Sequence, residues 1–299
     1  MKALYDVPAP AKLNLFLHIT GRRADGYHLL QSAFMLIDWY DTLHFEQRAD
    51  GLISREDLGA PLPEDDLTVR AARALQAASR TPYGAHISID KRLPAQAGMG
   101  GGSSDAASCL LALNRLWGLN LPLSVLLPIG LKLGADVPFF LAGRNAWVEG
   151  IGEILTPINL PPARFVVVKP PQGLDTRLIF AAPDLKRDTE TAILSGFAAN
   201  SVAEADSDVF GFGKNDLQPV AQRLCPGVSQ ALEWLESQGL QGRMTGSGSA
   251  VFAQILHQAG RDGEQQALPE TGSGKWQVRQ CNNLDAHPLW GWAPSDNYR

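Results

Sequence analysis

The stretch Pro94-Ala-Gln-Ala-Gly-Met-Gly-Gly-Gly-Ser-Ser-Asp-Ala-Ala-Ser108 contains four glycines within five positions, followed at once by two serines. Before it, residues 86–91 alternate like a strand. After it, residues 106–117 have apolar side chains at helical spacing. The first turn of a helix leaves backbone N–H groups unpaired, and glycines let a phosphate approach the backbone without meeting a Cβ atom. The stretch therefore predicts a phosphate-binding loop between a strand and a helix.

This loop differs from the two common nucleotide-binding fingerprints. A Walker loop has a lysine after its last glycine, and here Gly102 is followed by serine. A dinucleotide fingerprint would have a glycine at position 103, where this chain has a serine, and an acidic residue about 20 positions later. A flexible linker is the alternative, but the glycines run directly into an alanine-rich helix through Ser103 and Ser104, which can cap it. Phosphate binding is favoured over a linker.

Length, composition and charge limit the classes of protein to which this chain can belong. A length of 299 residues suggests about two domains, and an apolar content of 45% is enough for sizeable cores. The net charge of −5 argues against binding nucleic acid or an anionic membrane over a broad surface. Three widely separated cysteines, Cys109, Cys225 and Cys281, argue against a disulfide framework or a cysteine metal site. With no signal-peptide pattern and no long apolar run, we expect a soluble cytoplasmic protein.

Local patterns predict mixed helices and strands in the first half of the chain. Strand patterns cover residues 11–20 and occur within 31–45, and a helix is predicted over 67–78 after Asp65-Asp66. A second pair of helices follows, with the segment Pro138-Phe-Phe-Leu141 entering near Asp136 and stopping at Gly143. Prolines and glycines cluster at 150–163, which predicts a junction between an ATP-binding domain (1–160) and a substrate domain (161–290), with a tail over 291–299.

The second half is predicted to contain further strands and helices. A strand covers 164–169, helices lie near 221–238, and a glycine-serine turn at 245–249 leads into a strand over 250–256. The polar segment 258–275 reads as a mobile loop. Two tryptophans, at 290 and 292, indicate either a patch for self-association or, as the favoured interpretation, a folded-back tail.

Five motifs occur together over nearly the whole chain, and their order is that of a known family. They are Pro10-Ala-Lys-Leu-Asn-Leu15, Asp25-Gly-Tyr-His28, the loop 94–108, Gly134-Ala-Asp-Val-Pro-Phe-Phe140 and Gly246-Ser-Gly-Ser-Ala250. The set resembles the superfamily of galacto-, homoserine-, mevalonate- and phosphomevalonate kinases (GHMP kinases). Met99 stands where leucine is usual in this family, a volume-conserving change.

The resemblance implies an α+β fold of two domains. The N-terminal nucleotide domain would be ribosomal-S5-domain-2-like, and the C-terminal domain would be a ferredoxin-like α/β sandwich. It also implies an ATP-dependent kinase. Similarity is greatest to the branch that phosphorylates the tertiary 2-hydroxyl of 4-diphosphocytidyl-2-C-methyl-D-erythritol in the non-mevalonate isoprenoid pathway, giving the 2-phosphate and ADP.

Two other functions compete with this interpretation. The first is a GHMP kinase for homoserine, mevalonate or a sugar, but these substrates have no aromatic ring to stack on Tyr27, His28 or Phe180. The second is a catalytically silent nucleotide sensor, which would have no need of both Lys12 and Asp136. Release of ADP with each candidate substrate distinguishes the three.

Asp136 and Lys12 are the predicted catalytic residues. On local grounds alone, Asp136 is well explained as the N-cap of a helix entered through Val137-Pro138, and Lys12 as a solvated charge on a strand. The resemblance implies that they meet at the substrate hydroxyl, where the carboxylate accepts the proton and the lysine orients the hydroxyl group.

The predicted nucleotide site centres on the glycine loop. Ser103 and Ser104 either cap the helix or contact a phosphate or Mg²⁺, and a carboxylate at Asp105 is favoured near a helix start without any metal role. Lys91 and Asn114 fit an adenosine pocket and a core or surface position equally well. ATP and Mg²⁺ are expected, with no all-protein metal cage. The predicted ATP-binding residues are Lys91, Pro94, Ala97, Gly98, Met99, Gly100, Gly101, Gly102, Ser103, Ser104 and Asp105.

The predicted substrate site follows from the resemblance. Asn14 would bind the polyol end, and Tyr27, His28 and Phe180 the cytosine, although a Tyr-His pair after a glycine turn is more often structural. The turn at Gly246 and Ser247 would pack beside the phosphate loop, the alternative being a plain turn. Asp136 belongs to this set as well. The expected partner is the small-molecule substrate, without nucleic acid or membrane, in a monomer or weak homodimer.

Overall fold

The computed structural model describes residues 2–197, 209–255 and 276–294, which form two β-sheets and seven helices of six residues or more. The strands are β1 (Ala3–Arg22), β2 (His28–Arg48), β3 (Ile53–Asp57), β4 (Gly84–Asp90), β5 (Ala146–Glu149), β6 (Ile154–Pro157), β7 (Arg164–Lys169), β8 (Arg243–Met244), β9 (Val251–Gln254) and β10 (Gln277–Asn282). The helices are α1 (Leu67–Ser79), α2 (Gly101–Leu116), α3 (Leu123–Leu133), α4 (Val137–Ala142), α5 (Thr176–Ala181), α6 (Gln218–Leu224) and α7 (Pro226–Ser237).

The first sheet has the order β3-β4-β2-β5-β6, and β1 pairs with β2 outside this path. β1 and β2 run antiparallel along nearly their whole length, from the pair Ala3–Glu46 to the pair Arg22–His28. β2 has 21 residues, and it also pairs with β4 near its end and with β5 near its beginning. Only the β3–β4 pair is parallel among the described strand pairs.

The second sheet has the order β10-β7-β9-β8 and is antiparallel throughout the described residues. Its central strand β7 alternates between two cores: Phe165 and Val167 join one cluster, and Val166 and Val168 join another. Successive side chains of a strand point to opposite faces, so both faces of this sheet are covered. That double burial explains the nearly continuous apolar sequence of β7.

The described residues pack as layers around three apolar clusters. The first lies between the first sheet and α1 to α4, and the third joins the second sheet to α5, α6 and α7. The second contains residues of β1, β2, β7 and β9, so it lies between the two sheets. The two sheets therefore pack face to face. Loops that leave the first sheet and loops that leave the second sheet can then meet at one edge of the interface between them.

The structure confirms most of the predicted elements. The strand patterns at 11–20 and 31–45 belong to β1 and β2, which are longer than predicted. α1 begins after Asp66, whose carboxylate accepts a hydrogen bond from the Val69 N–H, and α4 ends at Gly143 in the left-handed conformation. The predicted loop at 258–275 lies outside the described residues, and the domain boundary near residue 160 stays a prediction.

Residues 283–294 pack on the first core. Leu289 and Ala293 are buried there, and Trp292 is partly buried against the same cluster, with the Arg115 guanidinium 4.7 Å from its ring centroid. Trp290 is exposed. The favoured interpretation of a folded-back segment is therefore confirmed for residues 290–294. Within the described ranges, none of the helices has the length and apolar character that crossing a membrane requires.

Candidate active site

The glycine loop connects β4 to α2, and the helix begins earlier than predicted. Gly100 is the N-cap residue, in the left-handed conformation (φ 71°), and the Ser104 N–H already donates to the Gly100 carbonyl at 2.9 Å. Ser103 and Ser104 therefore lie inside the first turn, and the prediction that they cap the helix was wrong. Among the residues that the structure describes, no side chain caps α2. The backbone N–H groups that precede Ser104 in this turn, those of residues 101–103, have no acceptor within the helix.

Two positions in the loop require glycine. Gly98 and Gly100 both have a φ of 71°, a conformation that is costly for other residues. A Cβ atom on Gly98 would lie 2.2 Å from the carbonyl oxygen of Thr245, and one on Gly100 would lie 3.0 Å from the ring of Phe140. The loop is thus in direct backbone contact with the turn that precedes β9.

The loop faces a cavity of about 730 Å³. Side chains of the first sheet and its helices line one side, among them Lys12, Asn14 and Asp136. Segments of the second sheet's side contribute Phe180 and Ser247. Helix N-termini attract anions because of their unpaired N–H groups and the helix dipole. The cavity therefore combines an anion-binding wall with a buried ammonium and a carboxylate.

Lys12 lies on β1 and is almost fully buried. Its backbone N–H donates to the Met99 carbonyl at 3.0 Å, which ties β1 to the glycine loop. Its Nζ lies 3.5 Å from Oδ2 of Asp136 and also donates to Oδ1 of Asn14. Burial lowers the pKa of Lys12, and the charge of Asp136 acts against this lowering. The interpretation of Lys12 as a solvated surface charge was wrong, because β1 lies between two covered faces.

Asp136 is the residue before α4, at the N-cap position, as its local sequence predicts. Its side chain accepts no capping hydrogen bond from the helix, however. The carboxylate instead forms the ion pair with Lys12, and 31% of its side chain is exposed compared with 4% for Lys12. The carboxylate is thus open to the cavity while its partner ammonium is shielded from water.

Asn14 joins β1 to the second glycine turn. Its backbone N–H donates to Oγ1 of Thr245 at 2.9 Å, and its side-chain amide donates to Oγ of Ser32 at 3.0 Å. A Cβ atom on Gly246 would lie 2.5 Å from the Gly98 carbonyl oxygen. The two glycine turns therefore contact each other through their backbones, as the resemblance implies for the Gly246 turn.

Tyr27 and His28 line a second cavity of about 530 Å³, beside the first. Phe180 lines both cavities, and its ring centroid lies 5.0 Å from that of His28 at an angle of 35°. Tyr27 has 61% of its surface exposed. Burial, followed by the charges of Arg187 and Arg22, lowers the pKa of His28. Aromatic faces with one neutral imidazole suit a flat, polar-edged ring.

A buried charge cluster lies below the glycine loop. The Lys91 ammonium donates to Asp105 at 2.6 Å and to Asp41, and Asp41 also accepts the backbone N–H groups of Arg92 and Leu93 at 2.6 and 2.7 Å. Burial raises the pKa of Asp105; the charge of Lys91 counteracts the rise, and that of Asp41 adds to it. Sequence reasoning missed Asp41. The available signal was the position of Asp41 on the strand, in alternation with the apolar residues Trp39, Leu43 and Phe45.

Most of the predicted site residues line the first cavity, and a few do not. Ser104 is fully buried and does not line it, and Asn114 instead bonds the backbone of Leu121 at the end of α2. Tyr27 and His28 line only the second cavity. The predicted residues that line the first cavity are Lys12, Asn14, Lys91, Pro94, Ala97, Gly98, Met99, Gly100, Gly101, Gly102, Ser103, Asp105, Asp136, Phe180, Gly246 and Ser247.

Two family models match the chain: GHMP kinases N terminal domain over residues 66–144, and GHMP kinases C terminal over residues 193–274. Solved structures agree in fold. A homoserine kinase from Cytophaga hutchinsonii aligns with a TM-score of 0.68 at 14% identity, over 96% of each chain. A mevalonate kinase aligns with a TM-score of 0.67 at 13% identity, over 94% of this chain and 99% of that one. Fold and site thus define a small-molecule kinase of the GHMP class.

Relatives of higher sequence identity show to which family within this class the chain belongs. The 4-diphosphocytidyl-2-C-methyl-D-erythritol kinase of Variovorax paradoxus is 68% identical over 98% of this chain and all of its own. That of Albidiferax ferrireducens is 70% identical over 99% and 98%. A crystal structure of 4-(cytidine 5'-diphospho)-2C-methyl-D-erythritol kinase aligns at 37% identity with a TM-score of 0.67, over 82% of this chain and 88% of that one. The chain belongs to the 4-diphosphocytidyl-2-C-methyl-D-erythritol kinase family.

Proposed function

We propose that this protein transfers the terminal phosphoryl group of ATP to the 2-hydroxyl of 4-diphosphocytidyl-2-C-methyl-D-erythritol. The products are the 2-phosphate and ADP, in the non-mevalonate route to isoprenoid precursors. The observation that carries the proposal is that the glycine loop and the Lys12–Asp136 pair line the same cavity. A phosphate on the loop and a hydroxyl at the carboxylate would share this space. The names of the relatives supply the substrate.

Asp136 acts as the general base in this proposal. Its exposed carboxylate accepts the proton of the substrate hydroxyl as the hydroxyl oxygen bonds to the terminal phosphorus, and the bond from that phosphorus to the leaving ADP oxygen breaks. Lys12 remains buried and cationic beside it. It holds the carboxylate and the attacking oxygen in place and offsets the negative charge that develops there.

The nucleotide phosphates lie against the start of α2. Glycine at positions 98 and 100 allows backbone turns that side chains would block, and the first-turn N–H groups supply donors. The Lys91–Asp41–Asp105 cluster fixes the segment before the loop through the N–H groups of Arg92 and Leu93. The loop is therefore held in shape before the nucleotide arrives, which reduces the cost of binding.

The cytidine end of the substrate occupies the second cavity. That cavity shares Thr176, Arg177 and Phe180 with the first, so one extended ligand can enter both. The rings of Tyr27, His28 and Phe180 offer faces for the base. Asn14, beside Lys12, would bind the polyol end. Ser247, whose hydroxyl lies 2.7 Å from that of Thr176, would close the site over the diphosphate.

Mg²⁺ is the expected cofactor. The described residues contain no group of three or more His, Cys, Asp or Glu side chains that could hold a metal ion. The ion would therefore be bound mainly by the ATP phosphates. Ser103, which lines the cavity, would be its protein ligand. When bound, the ion would neutralise phosphate charge.

The remaining features of the molecule follow from the same proposal. The nucleotide domain would comprise residues 1–160 and the substrate domain 161–290, a division supported by the change of sheet between β6 and β7. A cytoplasmic enzyme is consistent with the three buried free cysteines. The protein would act as a monomer or weak homodimer.

A direct assay tests the function. Purified protein is incubated with ATP, Mg²⁺ and 4-diphosphocytidyl-2-C-methyl-D-erythritol, homoserine or mevalonate, and ADP release is measured. Release only with the cytidine substrate, together with a new phosphate monoester resonance in the ³¹P spectrum, supports the proposal. Asp136→Ala serves as the inactive control. Equal turnover of homoserine, or turnover unchanged by Asp136→Ala, contradicts it.

A further inference from the structure

Arg187 makes an extensive set of contacts beside the second cavity. Its Nε donates to Nε2 of His28 at 3.0 Å. Its two terminal nitrogens donate to backbone carbonyls: Leu185 at 2.9 Å, Ala182 at 2.7 Å and Phe180 at 3.1 Å. Four of the five guanidinium N–H groups therefore have protein acceptors. One side chain holds both the imidazole of His28 and the end of α5 that carries Phe180.

The contact fixes the proton on the imidazole ring. A guanidinium group only donates hydrogen bonds, so Nε2 of His28 must accept with its lone pair. The proton of a neutral ring then lies on Nδ1. Nδ1 has no hydrogen-bond partner among the residues that the structure describes, and the ring lines the second cavity. His28 thus has one free donor for a ligand.

The charges around the ring favour the neutral form. Arg187 contacts it directly, and Arg22 at the end of β1 adds a second positive charge; both act with burial to lower the pKa of His28. Asp25 and Arg177 also line this cavity. Asp25 is paired with Arg23 at 2.7 Å. The nearest charges therefore oppose protonation of the imidazole.

We infer that Arg187 is a positioning residue that locks His28 as an Nδ1–H donor, so that the second cavity selects a ring presenting a hydrogen-bond acceptor. The acceptor edge of cytosine, with its O2 and N3 atoms, has this chemistry. The inference rests on the proposed function for the identity of the ring. The state of His28 does not depend on it, because it is set by contacts within the protein.

Nuclear magnetic resonance of the full-length protein tests the lock directly. With ¹⁵N-labelled histidine, the two ring nitrogens report which one carries the proton, and His28→Asn assigns the signal. We expect His28 to be neutral with Nδ1 protonated, and Arg187→Met to shift the proton toward Nε2 and raise the pKa of His28. A wild-type ring protonated at Nε2, or a signal unaffected by Arg187→Met, overturns the inference.

Steady-state kinetics test its consequence. Loss of a hydrogen bond between neutral groups corresponds to about a 2- to 10-fold change in binding. We expect Arg187→Met to raise the KM of the cytidine substrate by about that factor and to leave the KM of ATP unchanged. Arg223→Met is the matched control, since Arg223 is exposed and pairs with Asp184 at 2.7 Å. An equal rise in both KM values would indicate only a structural role and contradict the inference.

A second pair of variants covers the case in which Arg187→Met does not fold. His28→Asn retains an amide donor near the Nδ1 position, whereas His28→Gln places its amide near Nε2. The Asn variant should bind the substrate more tightly than the Gln variant, and the reverse order overturns the inference. A protein with the expected His28 signal that does not phosphorylate the cytidine substrate would refute the proposed function while leaving the lock intact.

Discussion

Nζ of Lys12 lies 3.5 Å from Oδ2 of Asp136, and this ion pair connects the middle of β1 to the start of α4. The two partners are unequally exposed. The ammonium is shielded by the sheets, whereas the carboxylate opens into the main cavity. A buried cation beside an accessible carboxylate can stabilise negative charge that develops on the attacking oxygen. It does so without occupying the side of the carboxylate that faces the cavity.

Asp136→Asn should abolish most of the activity with little change in fold. General-base catalysis contributes a factor of about 10²–10⁴, so kcat should fall by at least about 100-fold. The side chain accepts no capping bond, so the loss of stability is limited to the unbalanced charge of Lys12. Turnover and thermal unfolding are measured beside Asp65→Asn, an exposed carboxylate paired with Arg73. A folded Asn variant with wild-type kcat would remove Asp136 from catalysis.

Lys12→Met should change the pH dependence of stability. Burial lowers the pKa of Lys12 below its ordinary value of 10.5, so between the folded-state pKa and 10.5 the unfolded chain binds more protons. The free energy of unfolding of the wild type therefore rises with pH in that window, relative to Lys12→Met. Urea unfolding at a series of alkaline pH values measures this, with the exposed Lys2→Met as control. Parallel curves for wild type and Lys12→Met would show that Lys12 is not perturbed.

The same lysine should limit activity at alkaline pH. If the cation assists the attacking oxygen, kcat of the wild type falls as Lys12 loses its proton, which begins below pH 10.5. Lys12→Met should have low kcat at every pH. The pH profile of kcat at saturating substrate is the measurement, and an active Lys12→Met enzyme is the contrary result.

Gly98→Ala should separate the two glycine turns. The new Cβ would lie 2.2 Å from the Thr245 carbonyl oxygen, and the backbone has a φ of 71°. Strain of this kind costs about 1–3 kcal/mol, and the displaced loop should also bind ATP more weakly. Chemical denaturation and the KM of ATP are compared with Gly59→Ala, where an added Cβ meets nothing within 4 Å. Two variants of equal stability would argue against the close contact.

Asp41→Asn should be more harmful than Asp105→Asn, although both carboxylates bind Lys91. Asp41 also accepts two backbone N–H groups, and removing one partner of a buried ion pair costs about 3–5 kcal/mol. The pKa of Asp105 is raised, which favours the neutral form of its carboxyl group. Replacing it with the neutral amide of asparagine therefore changes the charge less. Unfolding free energies of the two variants at neutral pH decide the order. Equal losses would show that Asp41 has no special part in holding the loop.

The raised pKa of Asp105 has its own signature. Above the ordinary value of 3.8 the folded protein retains a proton that the unfolded chain loses, so stability falls as the pH rises toward the folded-state pKa. Asp105→Asn should remove this fall. Unfolding measured from acidic to neutral pH in both proteins tests the sign, and a wild type that gains stability over that window from this residue would contradict it.

Residues that act with near neighbours in sequence were predictable. The N-cap at Asp66, the stop at Gly143 and the strand–loop–helix around the glycines all follow from local backbone chemistry. The start of α2 was not predictable, because a pair of serines is a favourable N-cap by sequence. Only the left-handed conformation of Gly100 shows where the helix begins. Turn conformation at glycine depends on what packs against it.

Residues that act across the fold were not predictable from local patterns. Asp41 and Lys91 are 50 positions apart, and Arg187 and His28 are 159 apart. Nothing near either partner in sequence indicates the other. Burial of Lys12 likewise depends on the second sheet covering β1.

By itself, the sequence determined the elements of this protein, its anion-binding loop and, through the resemblance of five motifs, its family. Only the tertiary structure decided which faces became buried, how the two glycine turns met, and which charges were paired. The physical reason is one of range. Helical and turn preferences act over a few bonds, whereas desolvation, ion pairing and the proton position on His28 depend on groups that folding brings together.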